Sequence, residues 1–336
     1  MFGQTKPRFN FFSCVVFIAT LSGAHGAVMA QHLYQLQTNG EIWSYTGKPC
    51  DGDSCIGWRR LDNNPTTKAI VAGGGNLYQL QKSGKIWRHT GQPCKGDSCL
   101  GWEMVDNNPT TMSIFAGGGK LYQLHNNREI WRFTGTPCSG DSCSGWEMLD
   151  NNTATKSIVA NAFFLFQLHS NGKVWRFNGK PCDGDNCSGW ELIDKNPATM
   201  TIVAGVEQLY QMHKNREVWR FVGTPCMGDV CPGWQMFDNN SATRTIVAGT
   251  SLYQLHDGGE VWRFQGPSCE SDSCTGWRLV DNNPATVGIA ASGKKLYQLH
   301  AGGEIWMFTG AECVGETCPG WVLLDKNSNT KSIVAD

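Results

Sequence analysis

The chain has 336 residues, a formal net charge of −1 and 17% charged residues, and it contains 40 Gly, 14 Trp and 15 Cys. This near-neutral balance argues against a nucleic-acid-binding protein, which needs a clustered basic surface. Short apolar runs that are rich in Trp and separated by Gly are typical of an all-β protein with many tight turns.

The first 30 residues are expected to be a secretory signal peptide. Two basic residues precede the apolar run 11–21, and small residues follow it, with cleavage expected after Ala30 or, alternatively, before Ala27. The apolar run is too short to span a bilayer comfortably, and no other apolar stretch of that kind follows in the sequence. Cleavage removes two positive charges and changes the formal net charge from −1 to −3. We therefore expect the mature protein, residues 31–336, to be secreted, extracellular and not membrane-spanning.

The rest of the sequence consists of seven repeats of about 44 residues. Each repeat predicts four short strands, because four apolar runs rich in β-branched and aromatic residues are bounded by Gly, Asn, Asp or Pro. We name them strand A (Ile-Val-Ala-Gly), strand B (Leu-Tyr-Gln-Leu), strand C (Glu-Ile-Trp-Arg-Phe) and strand D (Trp-Glu-Met-Leu). The repeats begin with strand B near residues 33, 77, 121, 165, 209, 252 and 296.

Four strands in about 44 residues match the size of one β-propeller blade. The first repeat starts at strand B with Leu33, and the sequence ends with a spare strand A at residues 331–335. That last strand is expected to complete the first blade and close the ring, which removes two exposed sheet edges. We therefore predict an all-β, seven-bladed β-propeller of four-stranded antiparallel blades over residues 31–336. A β-solenoid is the alternative fold, but it gives no reason for this permutation of the strands.

The strand order also predicts which connections share a face of the ring. In an antiparallel meander, the B–C turns and the D–A loops, such as Asp106-Asn107-Asn108, lie on one face. The A–B turns and the C–D loops are expected on the other face. The Asp and Asn side chains are explained as turn formers, and a calcium site at these loops is left open because no repeat supplies many carboxylates.

Fourteen of the Cys residues form seven Cys-x4-Cys pairs, one in each C–D loop. An even number of Cys at fixed spacing in a secreted chain implies disulfides. No metal site or cofactor is expected, because one blade offers two thiolates and no fixed third ligand. The predicted disulfides are Cys50–Cys55, Cys94–Cys99, Cys138–Cys143, Cys182–Cys187, Cys226–Cys231, Cys269–Cys274 and Cys313–Cys318.

The repetition also argues against an enzyme. An active site combines a base, a nucleophile and a stabilising group that are each used once, whereas nearly every residue type here recurs in each repeat. No catalytic residue is predicted. Asn151 and Asn239 lie in Asn-x-Ser/Thr sequons of the Asp-Asn-Asn loops, so the protein is expected to be a glycoprotein in a host that glycosylates.

Three series of side chains are candidates for ligand binding: the Arg after the strand C Trp, the His that ends strand B, and the Trp that begins strand D. Each has a structural alternative, which is a solvated or Trp-stacked Arg, a buried hydrogen-bonded His and a core Trp. The candidates are Arg88, Arg132, Arg176, Arg220 and Arg263; His125, His169, His213, His256 and His300; and Trp102, Trp146, Trp190, Trp234 and Trp277.

The order of these features resembles the tectonin repeat of the tectonin- and tachylectin-like propeller lectins. The strand D Trp, the Ile-Val-x-Gly strand, the aromatic strand B, a Gly-containing turn and the Ile-aromatic-Arg strand C carry the resemblance, which covers residues 33–336. The Cys-x4-Cys loop is not part of the usual tectonin pattern. The resemblance implies a multivalent carbohydrate-binding lectin that binds glycans on cell surfaces, with sugars held between or on blades by the three series. The alternative is a protein-interaction scaffold that does not bind sugar.

Overall fold

The structure is a computed structural model that describes residues 32–336, and the predicted signal peptide lies outside the described residues. The described residues form 28 strands and no helix. In chain order the strands are β1 Leu33–Gln37, β2 Ile42–Tyr45, β3 Trp58–Asp62, β4 Thr67–Gly73, β5 Asn76–Gln81, β6 Ile86–His89, β7 Trp102–Asp106, β8 Thr111–Gly117, β9 Lys120–His125, β10 Ile130–Phe133, β11 Trp146–Asp150, β12 Thr155–Ala160, β13 Leu165–His169, β14 Val174–Phe177, β15 Trp190–Asp194, β16 Thr199–Ala204, β17 Leu209–His213, β18 Val218–Phe221, β19 Trp234–Asp238, β20 Thr243–Ala248, β21 Leu252–His256, β22 Val261–Phe264, β23 Trp277–Asp281, β24 Thr286–Ser292, β25 Lys295–His300, β26 Ile305–Phe308, β27 Trp321–Asp325 and β28 Thr330–Ala335.

These strands form seven four-stranded antiparallel blades, as predicted. Blade 1 has the order β28-β1-β2-β3, and blades 2 to 7 each use four consecutive strands from β4 onwards. The last strand pairs with the first, with Leu33 opposite Ala335 and Leu36 opposite Ser332, so the predicted closure of the ring is confirmed. Strand A of each blade lies innermost, and Val, Ile, Ala and Phe side chains from all seven A strands line one apolar channel of about 380 Å³.

Strand B is buried on both of its faces because each blade is covered by a neighbour on either side. In blade 3, all five residues from Leu121 to His125 are buried. Tyr122 and Leu124 point to one side and pack against Leu165 and Phe177 of blade 4. Since side chains alternate along a strand, the other residues of this strand point towards blade 2. Every strand B therefore joins two blade interfaces.

The side of strand B that faces the preceding blade carries a buried Gln in every repeat. In blade 3, Oε1 of Gln123 accepts a hydrogen bond from the Thr111 hydroxyl at 2.8 Å. The Gln also contacts the Asp that ends the preceding blade, and where the ring closes Nε2 of Gln35 donates to Oδ2 of Asp325 at 2.8 Å. Burial raises the pKa of this Asp, as for Asp106 beside Gln123. The same polar contact thus links successive blades and the two ends of the ring.

The strand D Trp connects each blade to the preceding one in all seven blades. In blade 3, the indole N–H of Trp146 donates to the carbonyl of Val105 on β7 at 2.8 Å. The residue before it must be Gly, because a Cβ at Gly145 would lie 2.0 Å from the carbonyl oxygen of Thr136. The other pairs are Trp58–Leu324, Trp102–Leu61, Trp190–Leu149, Trp234–Ile193, Trp277–Phe237 and Trp321–Val280.

The seven predicted disulfides are confirmed, each within one C–D loop. Disulfides of this kind are typical of proteins in oxidising compartments. We call the face with the A–B turns the upper face. The lower face carries the B–C turns and the D–A loops, which meet as predicted: the Asn126 N–H donates to the carbonyl of Thr110 at 2.8 Å.

The Cys loops, however, do not stay on the upper face. Each loop starts there, runs along the outer strand of the preceding blade and reaches the lower face. The Cys138 N–H donates to the carbonyl of Met104 at 3.0 Å, and Nδ2 of Asn107 donates to the carbonyl of Asp141 at the loop tip at 2.9 Å. The prediction that these loops share the upper face is wrong for the loop tips, because strand order fixes only the end at which a loop begins.

We predict that the Trp146 hydrogen bond contributes measurably to stability. Trp146→Phe removes the donor and leaves the carbonyl of Val105 without it, at a cost of roughly 1–3 kcal/mol beyond the loss of ring volume. Trp175→Phe is a matched control, since the indole N–H of Trp175 is buried without a hydrogen-bond partner. Calorimetry should show a larger fall in Tm for Trp146→Phe, and equal falls would contradict this role.

Candidate functional site

Two clefts open on the upper face between neighbouring blades. The cleft between blades 3 and 4 has a volume of about 260 Å³ and is lined by Arg132 on one side and Phe177 on the other. The cleft between blades 4 and 5 has about 390 Å³ and is lined by the equivalent residues, Arg176 and Phe221. Phe164, in the A–B turn of blade 4, lines both clefts. The repeat therefore places the same side-chain types in successive clefts.

Arg132, on the wall of the first cleft, belongs to a charged pair. Arg132 on β10 is directly opposite Glu147 on β11, so both side chains project from the same face of the blade. Nε and Nη2 of Arg132 contact Oε1 of Glu147 at 2.7 and 2.6 Å. This leaves Nη1 and Oε2 outside the pair, one as a donor and the other as an acceptor. The guanidinium carbon lies 5.9 Å from the centre of the Phe177 ring of the next blade.

Blades 2 and 4 repeat this pair. Nη2 of Arg88 lies 2.5 Å from Glu103, and Nη2 of Arg176 lies 2.6 Å from Glu191. The side chains of these Arg residues are 20–25% exposed, so they are held in place yet reach solvent. Arg176 contacts two aromatic rings, with its guanidinium carbon 5.1 Å from the centre of Phe164 and 5.8 Å from that of the next-blade Phe.

The other blades lack the Arg–Glu pair at this position. Arg220 donates instead to the neutral side chain of Gln235 at 3.1 Å. Arg263 is opposite another cation, Arg278. In blade 7 and blade 1 the opposed residues are Met307–Val322 and Ser44–Arg59. The five predicted Arg residues thus occupy three different chemical settings.

The Glu residues are the part of the site that the sequence interpretation missed. Glu103, Glu147 and Glu191 directly follow the strand D Trp, so a Trp-Glu dipeptide marks the blades that carry the pair. The signal is present in the sequence, but its importance depends on knowing which strand D residue lies opposite the Arg. Residues directly opposite on one face of an antiparallel pair are close enough to interact.

The strand D Trp series lies behind the clefts. Trp190 is partly buried, and its ring contacts the Phe177 ring at a centroid distance of 5.2 Å. Phe177 lines the cleft directly. The Trp N–H groups are engaged with the preceding blade, so Trp102, Trp146, Trp190 and Trp234 can offer a ligand only the exposed part of the ring, and Trp277 is 8% exposed. Their main contact is with the aromatic ring that faces the cleft.

The His series lies elsewhere. His125 ends β9 at the lower face, whereas the residue opposite Arg132 is Tyr122, near the upper end of the same strand. His125 also points to the other side of the blade, where its ring stacks on Trp131 at a centroid distance of 5.8 Å. The structure therefore does not bring the Arg and the His of one repeat together. The equivalent residues His169, His213, His256 and His300 are likewise buried at the lower ends of their strands.

Burial lowers the pKa of each of these five His residues. The effect is large for His169, whose pKa falls from 6.5 to about 4, first because of burial and second because of the nearby charge of Lys173. These side chains are therefore neutral at physiological pH, as expected for structural rings packed on Trp.

Asn151 and Asn239 are exposed on the lower face. Nδ2 of Asn151 donates to the carbonyl of Asp185 at 3.1 Å, and Nδ2 of Asn239 donates to that of Asp272 at 3.0 Å. Each amide contacts the tip of the next blade's Cys loop. An amide nitrogen that carries a glycan keeps one hydrogen, so it retains a donor for this contact.

Residues 32–336 contain no group of three or more His, Cys, Asp or Glu side chains placed to hold a metal ion. In the same part of the chain, no helix has the length and apolar character needed to cross a membrane.

Comparison with known proteins supports the fold and does not identify a family. No protein-family model and no curated protein matches the sequence. Among solved structures, the chain is similar to Prp20p from Saccharomyces cerevisiae, with 12% identity, a TM-score of 0.54 and coverage of 84% of this chain and 81% of that one. Human WBSCR16 gives 11% identity, a TM-score of 0.53 and coverage of 83% and 87%. AztD from Citrobacter koseri gives 9% identity, a TM-score of 0.55 and coverage of 91% of this chain and 98% of that one. At these identities the similarity shows the seven-bladed propeller fold alone.

We predict that His169 lowers the free energy of unfolding at acidic pH. The pKa of His169 in the folded state, about 4, lies below the unfolded value of 6.5. The contribution of the neutral side chain to the stability of the fold is therefore complete above pH 6.5 and is lost as the pH falls towards 4. His169→Gln, which copies the residue of repeats 1 and 2, should remove about 2–3 kcal/mol of the stability change between pH 7 and pH 4.5. The raised pKa values of the buried Asp residues change the stability in the opposite direction as the pH falls, but they are common to wild type and His169→Gln. Chemical unfolding at both pH values measures the free energies of unfolding. The same loss of stability in wild type and in His169→Gln would contradict this prediction.

We also predict N-glycans at Asn151 and Asn239 after expression in a eukaryotic host. Both side chains are exposed on the lower face, away from the clefts, so enzymatic removal of the glycans should leave ligand binding unchanged. Glycopeptide mass spectrometry tests the modification, and unmodified Asn residues from such a host would contradict it.

Proposed function

We propose that this protein is a secreted, multivalent carbohydrate-binding lectin. Its sugar sites are the two upper-face clefts next to the Arg–Glu pairs of blades 3 and 4 and the equivalent position next to the pair of blade 2. The observation that carries the proposal is the cleft between blades 3 and 4, where a fixed donor and a fixed acceptor lie beside an aromatic ring. The pattern of seven repeats resembling tectonin lectins agrees with it.

The chemistry of the pair suits a neutral sugar. Neighbouring hydroxyl groups of a sugar both donate and accept hydrogen bonds, and Nη1 of Arg132 and Oε2 of Glu147 offer one group of each kind. The Phe177 ring provides an apolar surface for the C–H face of the sugar. Glu147 neutralises Arg132, so the pair itself has no net charge and suits an uncharged sugar; Lys120 also lines this cleft. The pair is already held in position, so little side-chain entropy is lost on binding.

Three similar sites on one ring favour binding to surfaces. Polar, open clefts of this size give weak single contacts, because desolvation offsets much of the hydrogen-bond energy. Several sites that engage one glycan-coated surface raise the avidity by roughly 10²–10⁴ without any new contact. We therefore propose glycans on cell surfaces as the partners, and an extracellular location in keeping with the disulfides and the expected signal peptide. The role is binding rather than catalysis, since the same residues recur from cleft to cleft.

A protein-interaction scaffold is the second candidate. It is favoured by large apolar side chains exposed on the Cys loops or next to them, among them Leu100 at 83%, Val314 at 80% and Ile56 at 74%. Structurally similar Prp20p is described as binding Gsp1p and histones. Apolar loop residues would contact a protein partner whether or not the clefts bind sugar, so the two candidates predict different effects of the cleft variants.

We predict that the Arg residues with a Glu partner carry glycan binding. The triple variant Arg88→Ala, Arg132→Ala and Arg176→Ala should lower binding to a dense surface of a neutral glycan, chosen from a glycan array, by roughly 100-fold or more because avidity is lost. The single variant Arg263→Ala is the matched control and should change it little, because Arg263 is a strand C Arg that has no Glu partner and lines neither cleft. Surface plasmon resonance measures both, and circular dichroism confirms that the fold is kept.

A single-site variant, Arg176→Ala, should weaken surface binding only partly. Equal losses in the triple variant and the Arg263→Ala control would contradict the site assignment. A glycan array without any bound glycan would contradict the lectin proposal and favour the scaffold.

A further inference from the structure

The central channel of the ring has an apolar wall. Each of the seven A strands contributes two or three consecutive residues to it, and all of them are Val, Ile, Ala or Phe. The channel shares no lining residue with the two upper-face clefts. Its volume of about 380 Å³ is that of a small-molecule pocket, and such pockets are mostly apolar. The wall offers a ligand no side-chain hydrogen bond, so the part of a ligand that lies against it must be hydrocarbon.

Cations surround the lower end of this channel. Each A strand begins at the lower face, and its second residue precedes the first wall residue of the same strand by two or three positions, which is about 7–10 Å at roughly 3.3 Å per residue. This second residue is basic in four blades and apolar in the other three. From blade 1 to blade 7 it is Lys331, Lys68, Met112, Lys156, Met200, Arg244 and Val287.

Contacts between neighbouring blades hold the Lys side chains at this end of the channel. Nζ of Lys331 donates to the carbonyl of Lys68 at 3.1 Å, and Nζ of Lys68 donates to that of Met112 at 2.7 Å. Nζ of Lys156 donates in the same way to the carbonyl of Met200 at 2.8 Å. Each Lys thus reaches from its own A strand to the next one, and it keeps two N–H groups for a ligand.

Two Arg residues of the B–C turns add to these cations. Nη1 of Arg216 donates to the carbonyls of Thr243 and Arg244 at 3.0 and 3.3 Å. Nη1 of Arg128 lies 3.7 Å from Sδ of Met112. We call the six basic side chains the basic rim: Lys68, Arg128, Lys156, Arg216, Arg244 and Lys331. Within residues 32–336, none of these six forms a salt bridge with a carboxylate, so the basic rim attracts anions.

The backbone at Arg128 and Arg216 is strained. Their φ angles are 75° and 73°, in the left-handed region that residues with a Cβ rarely adopt. The other five blades have Gly at this turn position: Gly40, Gly84, Gly172, Gly259 and Gly303. The two strained Arg residues belong to blades 3 and 5, which are the two blades with Met at the second position of strand A. Through this substitution, six of the seven blades supply one cation each, and strain of this kind is typical of functional sites.

The upper end of the channel has no such cations. The residue that follows the wall is uncharged in six blades, and in blade 1 it is Asp336. The Asp336 carboxylate accepts hydrogen bonds from the backbone N–H groups of Gly74 and Gly75 at 3.0 and 2.6 Å. The two ends of the channel therefore differ in charge, and an anionic group is favoured only at the lower end.

We propose that the channel binds a fatty acid, with the alkyl chain along the apolar wall and the carboxylate at the basic rim. Each CH₂ group buried in the channel raises the affinity roughly fourfold. Lys and Arg donate charge-assisted hydrogen bonds to the carboxylate. This site is independent of the upper-face clefts, so neither its failure nor that of the lectin proposal decides the other.

The test measures the binding of decanoate, hexanoate, decan-1-ol and decyltrimethylammonium by isothermal titration calorimetry. Wild type should bind one decanoate per chain. Hexanoate should bind at least about tenfold more weakly because four CH₂ groups are missing, and the alcohol and the ammonium should do so because they lack the carboxylate. The affinity for decanoate should fall as salt rises.

Two triple variants separate the basic rim from net charge. Lys68→Gln, Lys156→Gln, Lys331→Gln should weaken decanoate binding at least about tenfold. The matched control, Lys48→Gln, Lys95→Gln, Lys180→Gln, removes the same charge from exposed residues of the C–D loops and should change the binding little. Equal losses in the two variants, or no decanoate binding by wild type, would overturn the proposal.

The variant Ala290→Trp tests the channel itself. Ala290 lines the channel, so a larger side chain there reduces the space for the alkyl chain and should weaken decanoate binding more than hexanoate binding. Circular dichroism checks that the fold is kept, and the comparison of chain lengths in wild type tests the channel even if this variant does not fold. Equal affinities of wild type for decanoate and hexanoate would show that the chain stays outside the channel and would contradict the proposal.

Discussion

A single blade of this protein cannot bury its own surfaces, and this constraint shapes the rest of the molecule. Strand B is buried on both faces, so each blade needs a neighbour on either side. The contacts that join the blades are the same at every interface: apolar strand B side chains, the buried Gln and Asp, and the strand D Trp that donates to the preceding blade. A ring satisfies this need for every blade, and a spare strand A at the end of the sequence lets the ring close.

The functional surface follows from these interfaces. Alternation along strand C sends its Trp towards the preceding blade and its Arg towards the next one, where an aromatic ring from that blade faces it. The Arg therefore reaches a cleft between two blades without taking part in the contacts that hold the ring. The strand C position of the Arg is Met307 in blade 7, and the residue opposite this position varies from Glu to Gln, Arg or Val among the blades while the fold stays the same. One scaffold can thus present different side chains at different blade interfaces.

The sequence was sufficient for the fold, and only partly for the site. Repeat length, strand composition and the permuted ends determine the seven blades and their closure, because these depend on local patterns. The path of the Cys loops could not be predicted from strand order, since contacts such as Asn107 with Asp141 join different blades. Arg132 and His125 occur close together in the sequence, but strand register and side-chain alternation separate them. Glu147 could be assigned to the site only once its cross-strand position opposite Arg132 was known.

The central claim is that glycans bind where an Arg and a Glu are paired, and the number of bound ligands tests it most directly. Native mass spectrometry of the disulfide-bonded protein, titrated with a neutral oligosaccharide chosen from a glycan array, counts ligands per chain. Saturation is expected at three ligands per chain, one for each of blades 2, 3 and 4. Saturation at five or seven, as expected if the Arg or the repeat alone were sufficient, would contradict it, and so would the absence of any bound ligand.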